Sequence, residues 1–316
     1  GSMWKVFSPA TTSTPLEISV RSDATGKNVT DITGGTGHSC ALLSDGTAAC
    51  WGANHVGQLG NGTFTNSATP VAVTGGALAS KTVTKISAGN NHTCALLSDG
   101  TAACWGDNHL GRLGIGTTNN SYIPVAVTGG ALTGKTVTDI SAGDLHSCAV
   151  LSDGTVACWG NNGNGQVGNG AITDSHLSPV AVTSGALAGK TVIKISAGDY
   201  HTCALLSDGI AACWGWNDSG QLGNGNTTNA QLTPIAVTGS ALSGKTFTNI
   251  TAGTDHTCAL LSDGTAACWG DNGYGQLGDG TTSSSSVPVA VTGGALAGET
   301  VTRIDTRGLH SCALTS

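Results

Sequence analysis

The stretch His92-Thr93-Cys94-Ala95-Leu96-Leu97-Ser98-Asp99-Gly100-Thr101-Ala102-Ala103-Cys104-Trp105-Gly106 recurs almost letter for letter along the chain. Its His-x-Cys opening stands at His38, His92, His146, His201, His256 and His310, at spacings of 54, 54, 55, 55 and 54 residues. Its Cys-Trp-Gly close stands at Cys50, Cys104, Cys158, Cys213 and Cys268. A fixed period of about this length marks a repeat architecture, in which each unit buries its apolar surface against its neighbours.

The stretch reads as a β-hairpin. Ser98-Asp99-Gly100 is a turn signal, with Gly supplying positive φ. A three-residue loop closed by a Gly bulge sets Leu97 opposite Thr101. Leu96 then faces Ala102, Ala95 faces Ala103, and Cys94 faces Cys104. The cysteines fall on a non-hydrogen-bonded pair, where Cα atoms approach to ~4.5 Å, within disulfide range. The expectation is five bridges: Cys40–Cys50, Cys94–Cys104, Cys148–Cys158, Cys203–Cys213 and Cys258–Cys268. The alternatives are buried thiols or a metal site. One hairpin supplies only two thiolates, short of a tetrahedral set, so no metal is expected.

Both faces of the hairpin are apolar. One carries Cys94, Leu96, Ala102 and Cys104; the other carries Ala95, Leu97, Ala103 and Trp105. An antiparallel sheet usually leaves one face wet. A small sheet apolar on both faces belongs between two others, as the blades of a propeller do.

The rest of the period supplies two more strands. In the second unit these are an inner strand at Val83-Thr-Lys-Ile86 and an outer one at Pro124-Val-Ala-Val-Thr128. Proline at the head of a strand suits a sheet edge. The repeat units run at about 29–82, 83–136, 137–191, 192–246 and 247–300, within one domain spanning 1–316. The last unit stops at Ser316, after Val301–Ile304 and His310–Leu314. A closing blade of 301–316 plus 3–28 is expected, with Trp4–Phe7 as its third strand and Pro15–Val20 as its outer strand. Such sharing removes two free sheet edges. Cys312 is then the odd eleventh cysteine, unpaired: buried and inert, or the sign of a truncated chain. Gly1-Ser2 reads as a cloning remnant and is left out of fold reasoning.

Composition agrees. The 316 residues include 49 glycines and 10% charged side chains, which suits short strands and tight turns over helices. With a net charge of −7 and scattered Lys and Arg, the chain lacks the basic stripe that nucleic-acid binding needs. No apolar run reaches the ~18 residues of a membrane span. Regular cysteine pairs point to an oxidising compartment, hence a secreted or cell-surface protein.

His-x-Cys-Ala-Leu, Asp-Gly, Trp-Gly-x-Asn, Gly-Gln-Leu-Gly and a closing Pro-Val resemble the regulator of chromosome condensation repeat family, over nearly the whole chain. The resemblance implies a β-propeller, and the Cys-rich form is similar to bacterial secreted members. The founder has seven blades; six units stand here, so a six-bladed propeller is expected, with a seven-bladed or truncated one as alternative. The founder's nucleotide-exchange activity goes with a wedge-like insertion that has no counterpart here. The light-absorbing tryptophans of the plant ultraviolet receptor lie in a motif this chain lacks.

Several motifs have a structural and a functional reading. Gly129-x4-Gly134-Lys135-Thr136 and Gly239-x4-Gly244-Lys245-Thr246 match a phosphate loop, but a β-rich segment follows where a helix is required. The recurrent histidines either line an axis as a metal or anion site or bond backbone carbonyls. Trp51, Trp105, Trp159, Trp214 and Trp269 read as packing between blades, large against small. Gly-Gln-Leu-Gly reads as loop architecture, with Leu plugging the blade edge; unit two has Arg112 for Gln and unit three Val167 for Leu.

What differs between units is the better guide to function. The variable residues lie just before each His and just after each Trp-Gly, in loops where binding groups tend to sit. His55, His109, Arg112, Asp144, Asp199, Tyr200, Trp216, Asp255 and Tyr274 are the binding candidates, rich in types that dominate interfaces. No nucleophile elbow or distinct carboxylate pair is present, so no catalytic residue and no cofactor is expected. The expected function is a non-catalytic recognition scaffold that binds a protein partner on one loop-lined face. A carbohydrate-binding lectin, stacking sugar on Trp216, Tyr200 and Tyr274, is the second reading. A product of repeat amplification with no selected ligand is the third.

Overall fold

The computed structural model of the chain describes residues 4–7 (backbone), 27–228, 230–292, 296 and 298–316. In the second repeat, Val83–Ala88, His92–Leu97, Ala102–Gly106 and Ser121–Ala126 form a four-stranded antiparallel sheet in chain order. The hairpin register is the expected one: Leu96 faces Ala102, Ala95 faces Ala103 and Cys94 faces Cys104. Gly100, at φ 78°, closes the turn, and the Leu97 amide donates to the Thr101 carbonyl at 2.9 Å. Asp99 Oδ1 holds the loop by accepting from the amide and the hydroxyl of Thr101.

The same order recurs in four other sheets. The first holds Val29–Gly34, His38–Leu43, Ala48–Gly52 and Ser67–Ala72. The third holds Val137–Ala142, His146–Leu151, Val156–Asn162 and Thr173–Val182. The fourth holds Val192–Ala197, His201–Leu206, Ala211–Gly215 and Gln231–Ala236. The fifth holds Phe247–Ala252, His256–Leu261, Ala266–Gly270 and Ser285–Ala290. All five expected disulfides form, with Cα separations of 4.0–4.1 Å. Each closes a short loop and removes about 3 kcal/mol of unfolded-chain freedom in the chain-entropy account.

Two strand boundaries differ from the sequence reading. The first strand runs on through Ser87 and Ala88, which pair with Cys94 and Thr93. It continues because the Ala88 amide finds an acceptor, Thr33 Oγ1 of the preceding repeat, at 3.1 Å. The fourth strand starts at Ser121, so Pro124 lies inside it. The register jumps from Cys104↔Val125 to Gly106↔Ser121, which leaves Pro124 in a bulge of the edge strand, where no ladder N–H is needed. Its carbonyl packs on the short 3-10 turn Gly76–Leu78: a Cβ at Gly76 would lie 1.9 Å from Pro124 O.

The sixth sheet joins the chain ends. Val301–Arg307 pairs with His310–Thr315, and Trp4–Phe7 adds to the latter as third strand, with Val6 opposite Cys312. The N-terminal strand thus takes the expected place. The outer strand expected at Pro15–Val20 lies outside the described residues.

The chain forms two compact units. The first contains the first three sheets. Its cores show why both faces are apolar: Cys40, Leu42, Ala48 and Cys50 of the first sheet pack on Val83, Ile86, Ala95, Leu97, Ala103 and Trp105 of the second. The opposite face of the second sheet, with Cys94, Leu96, Ala102 and Cys104, packs in the same way on the third, under Trp159. The second unit contains the remaining sheets and the Asn164–Ala171 loop. There Cys203, Leu205 and Cys213 lie under Phe247, Ile250 and Trp269, and Cys258 and Cys268 lie beside Val301 and Ile304. The second sheet therefore offers a Trp face to the first and a disulfide face to the third.

The sixth sheet's register predicts a sixth bridge. The denatured, non-reduced protein should titrate with the single thiol of Cys312, and Val6→Cys should abolish that thiol. Two titratable thiols in the variant would refute the pairing.

Candidate recognition surface

The loops before each His and after each Trp-Gly meet because His38 pairs with Gly52, and likewise in every complete repeat. A backbone bond then zips them: Ala53 N to Gly37 O, Asp107 N to Asn91 O, Asn161 N to Leu145 O, Trp216 N to Tyr200 O, Asp271 N to Asp255 O, all 2.7–2.9 Å. The variable positions thus gather at one end of the strands, in pairs.

The recurrent residues beside them join one repeat to the next. Thr93 Oγ1 and Trp105 Nε1 both donate to the backbone carbonyl of Gln58 in the preceding repeat, each at 3.0 Å. Ser147 and Trp159 bond Arg112 O, Thr202 and Trp214 bond Gln166 O, and Thr257 and Trp269 bond Gln221 O, all at 2.8–2.9 Å. Gly60 follows in the same loop, and a Cβ there would lie 2.6 Å from the Trp105 indole nitrogen. The Gly-Gln-Leu-Gly loop is therefore a socket for the next tryptophan. Its Leu59 is fully buried in one core cluster with Trp105, Val83 and Ile86. No such loop precedes Trp51 in the chain, and that ring is only half-buried.

The structural reading had the histidines bond backbone carbonyls; four of them reach one through a hydroxyl. Nε2 of His38, His92, His201 and His256 lies 2.8–3.0 Å from the hydroxyl of Thr93, Ser147, Thr257 and Ser311 in the following repeat. That hydroxyl gives its proton to the socket carbonyl, so it accepts from Nε2–H of the ring. Burial disfavours a second proton, holding His146 down at about 3 and His256 at about 4. Among the described residues no three His, Cys, Asp or Glu side chains gather as a metal set.

The sequence reading missed the asparagine of Trp-Gly-x-Asn. Asn54 is fully buried; its Oδ1 accepts from Leu59 N at 2.9 Å, and its Nδ2 donates to Thr63 O and Thr65 O. Asn108, Asn217 and Asn272 do the same for their loops. Strict recurrence of a polar residue at one offset was the available signal. The phosphate-loop matches dissolve: Lys135 and Lys245 pair with Asp153 and Asp263 at 2.7 and 2.8 Å, and a strand follows each.

The nine candidates separate by unit. In the first, His55 and His109 are exposed and Asp144 is half-buried, but Arg112 is only 2% exposed. Its guanidinium is turned inward, 3.1 Å from Asp107 Oδ2 and bonded to the Asp144 carbonyl. In the second, Asp199, Tyr200, Trp216 and Asp255 are half-buried and Tyr274 is 55% exposed. Tyr200 and Trp216 are zipped together, as above. Gln221 Nε2 donates to Asp255 Oδ1 at 3.3 Å. Burial, then the charges of Asp199 and Asp271, push the Asp255 carboxyl up.

Doubly apolar four-stranded sheets, the second to the fifth each plugged by a tryptophan into the loop of the one before, with a variable loop set at one strand end, define a propeller-like repeat scaffold. The chain belongs to the RCC1-like domain family, whose model matches residues 6–316. It is 33% identical over 291 residues to the ultraviolet-B receptor UVR8 of Arabidopsis thaliana, covering 92% of this chain and 63% of that protein. It is 32% identical over 312 residues to the human E3 ubiquitin-protein ligase HERC2, covering 98% of this chain and 6% of that protein. The chain thus spans less than two thirds of either relative. Among solved structures, human WBSCR16 matches with a TM-score of 0.83 at 22% identity, over 96% of this chain and 76% of that one. Prp20p of Saccharomyces cerevisiae matches with a TM-score of 0.79 at 22% identity, over 92% of this chain and 69% of that one.

The neutral histidines set an acid limit. Between the ordinary histidine value of 6.5 and about 4, the unfolded chain binds a proton at His256 that the folded chain refuses. Stability should therefore fall on acidification across that window, by about 1.4 kcal/mol per pH unit for such a ring. Denaturant unfolding of His256→Asn, weaker at neutral pH, should show a slope shallower by about that amount; an unchanged slope would contradict the neutral ring. The shared carbonyl predicts coupling as well. Thr93→Val with Trp105→Phe should cost about 1 kcal/mol more than the sum of the two single changes, because only the pair strips Gln58 O of both donors. Simple additivity would exclude a shared acceptor.

Proposed function

We propose that this chain is a non-catalytic recognition scaffold that binds a protein partner through the loops at the histidine end of its sheets. One observation carries the reading. The recurrent side chains are committed to bonds between repeats, while the variable ones collect in zipped loop pairs at one strand end. The opposite end is occupied by recurrent Lys–Asp pairs, Lys81–Asp99 and Lys245–Asp263 among them, at 2.6–2.8 Å. It has little left to vary.

Relatives support a binding role. Prp20p is described by its binding to Gsp1p and histones, and yeast RCC1 has been solved bound to Kap60. The ligase activity of HERC2 is not carried over, since the match covers 6% of that protein. The scaffold is proposed as one domain over 1–316, a six-bladed propeller with repeat units as set out above and a last blade shared by the chain ends. Addition of Trp4–Phe7 to the final sheet supports this. Five buried disulfides support a working life in an oxidising, extracellular setting. The lectin reading keeps one observation in its favour, the zipped pair Tyr200 and Trp216.

The test is capture of a partner from the native extracellular fluid on immobilised protein. Trp216→Ala and Tyr274→Ala should abolish capture, and Asp99→Asn at the other end should leave it intact. Capture indifferent to the loop substitutions would reject this surface. Glycan binding by the wild type, lost in Trp216→Ala, would replace the scaffold with the lectin.

A further inference from the structure

The last sheet takes its third strand from the far end of the chain, and that strand does not match its seat. In the complete repeats the third strand reads Ala-Ala-Cys-Trp-Gly, or Val-Ala-Cys-Trp-Gly in the third. Ser311, Cys312, Ala313 and Leu314 stand where Thr93, Cys94, Ala95 and Leu96 stand in the second repeat. Opposite them the register sets Phe7, Val6, Lys5 and Trp4, at the places of Trp105, Cys104, Ala103 and Ala102. Val6 has no sulfur to bridge Cys312, whose thiol is free. Phe7 has no ring N–H to donate. Lys5 stands at the place of Ala103, Ala157, Ala212 and Ala267, all fully buried, and lysine is the residue least suited to such a position.

The fifth repeat still builds the whole tryptophan socket. Gly275 N donates to Asn272 O and Gly278 N to Gly275 O, at 2.9 and 3.1 Å, as Gly57 and Gly60 do in the first repeat at 3.0 Å each. Gly278 has the φ of Gly60, 64° against 65°. Leu277 is fully buried. The hydroxyl half of the junction is made too: Ser311 Oγ donates to Gln276 O at 2.9 Å and lies 3.0 Å from His256 Nε2. The indole half, present on the carbonyls of Gln58, Arg112, Gln166 and Gln221, has no counterpart on Phe7. Trp4–Phe7 is four residues long and is fixed by neither bridge nor indole, so little beyond its ladder holds it.

We propose that the His310–Thr315 strand is a strand-binding edge, and that it takes from a partner protein an extended segment with two small residues and a tryptophan spaced as in Ala102, Ala103 and Trp105, in place of Trp4–Phe7. Segments of this pattern fill the equivalent seat in every complete repeat of the chain itself. The partner's backbone pairs with the edge and supplies affinity, while the side-chain seats supply specificity. Its indole donates to Gln276 O, and its small residues stand opposite Ala313 and Leu314. The site is a sheet edge, apart from the loop surface proposed above, and does not rest on that reading.

The test is fluorescence anisotropy of a labelled peptide, Thr-Ala-Ala-Ser-Trp-Gly, titrated with the full chain. It carries the sequence of residues 101–106 with Ser in place of Cys, so that no disulfide forms. Saturable binding is expected. Phe in place of the peptide Trp should weaken it about fivefold, the worth of one hydrogen bond at about 1 kcal/mol. Val6→Cys, which bridges Trp4–Phe7 to Cys312, should abolish binding, and a thermal melt should verify that the variant is folded. No binding by the wild type, equal binding of a scrambled peptide, or equal binding by the bridged variant would each overturn the proposal. Two free thiols in Val6→Cys would refute the register and the proposal with it. Preference for a Trp-Lys-Val-Phe peptide would also overturn it, making the seat one for the chain's own terminus and for exchange between copies. Any of these failures leaves the loop-surface reading standing.

Discussion

One backbone carbonyl per repeat, that of Gln58 and its equivalents, holds the structure to its neighbour. It accepts two bonds from the next repeat, one from an indole and one from a hydroxyl. A buried carbonyl has two lone pairs to satisfy and costs about 1–3 kcal/mol when left bare. Here both are met by the same incoming strand pair, so docking the next sheet and satisfying this one are a single event. The hydroxyl in turn fixes the histidine of its own neighbour. A chain of bonds, His to Thr or Ser to carbonyl, crosses these junctions within each unit.

Apolar packing follows the same asymmetry. The disulfide occupies little volume and leaves a flat, small-sided face; the tryptophan of the next sheet supplies the bulk. Two alanines beside each tryptophan let the facing sheets interdigitate at crystal-like density. The sixth sheet shows what happens when the pattern is broken. Its third strand comes from the N-terminus and brings Val6 to the place of the second cysteine, so Cys312 remains a thiol. Burial, with Asp305, pushes that thiol up to about 11, which makes it a poor nucleophile.

Much of this was legible in the residues. A turn of known length set the hairpin register, and the register set the disulfides. Apolar character on both faces required flanking sheets. Three things were hidden, each because it depends on a neighbour in space. The first strand outran its β-branched core because Thr33 of another repeat offered its amide an acceptor. Pro124 sat inside a strand because a bulge relieved it of a donor's duty. The socket role of Gly-Gln-Leu-Gly lies in backbone atoms that carry no sequence signature, and only the glycines hint at the ring lying on them. Of the binding candidates, Arg112 read as an exposed anchor because arginine usually is one. Its burial follows from standing at the socket position, where the repeat normally keeps a glutamine underground.

The same constraint explains why function must be sought at one end. Gly60 has an indole within 2.6 Å of any added Cβ, and Gly100 has the Thr136 side chain at 2.7 Å. Positions like these answer to the adjoining repeat, so they are copied from unit to unit. At the turn end the Asp that orders the loop also binds a lysine from the preceding connection, which ties that end to the same grammar. At the histidine end the loops are closed from below by buried Asn and zipped by backbone, neither of which consults the side chain on top. Residues there are free to differ without loosening a junction. A surface whose support is independent of its chemistry is one that can be given an aromatic and acidic character in one unit and not in the other.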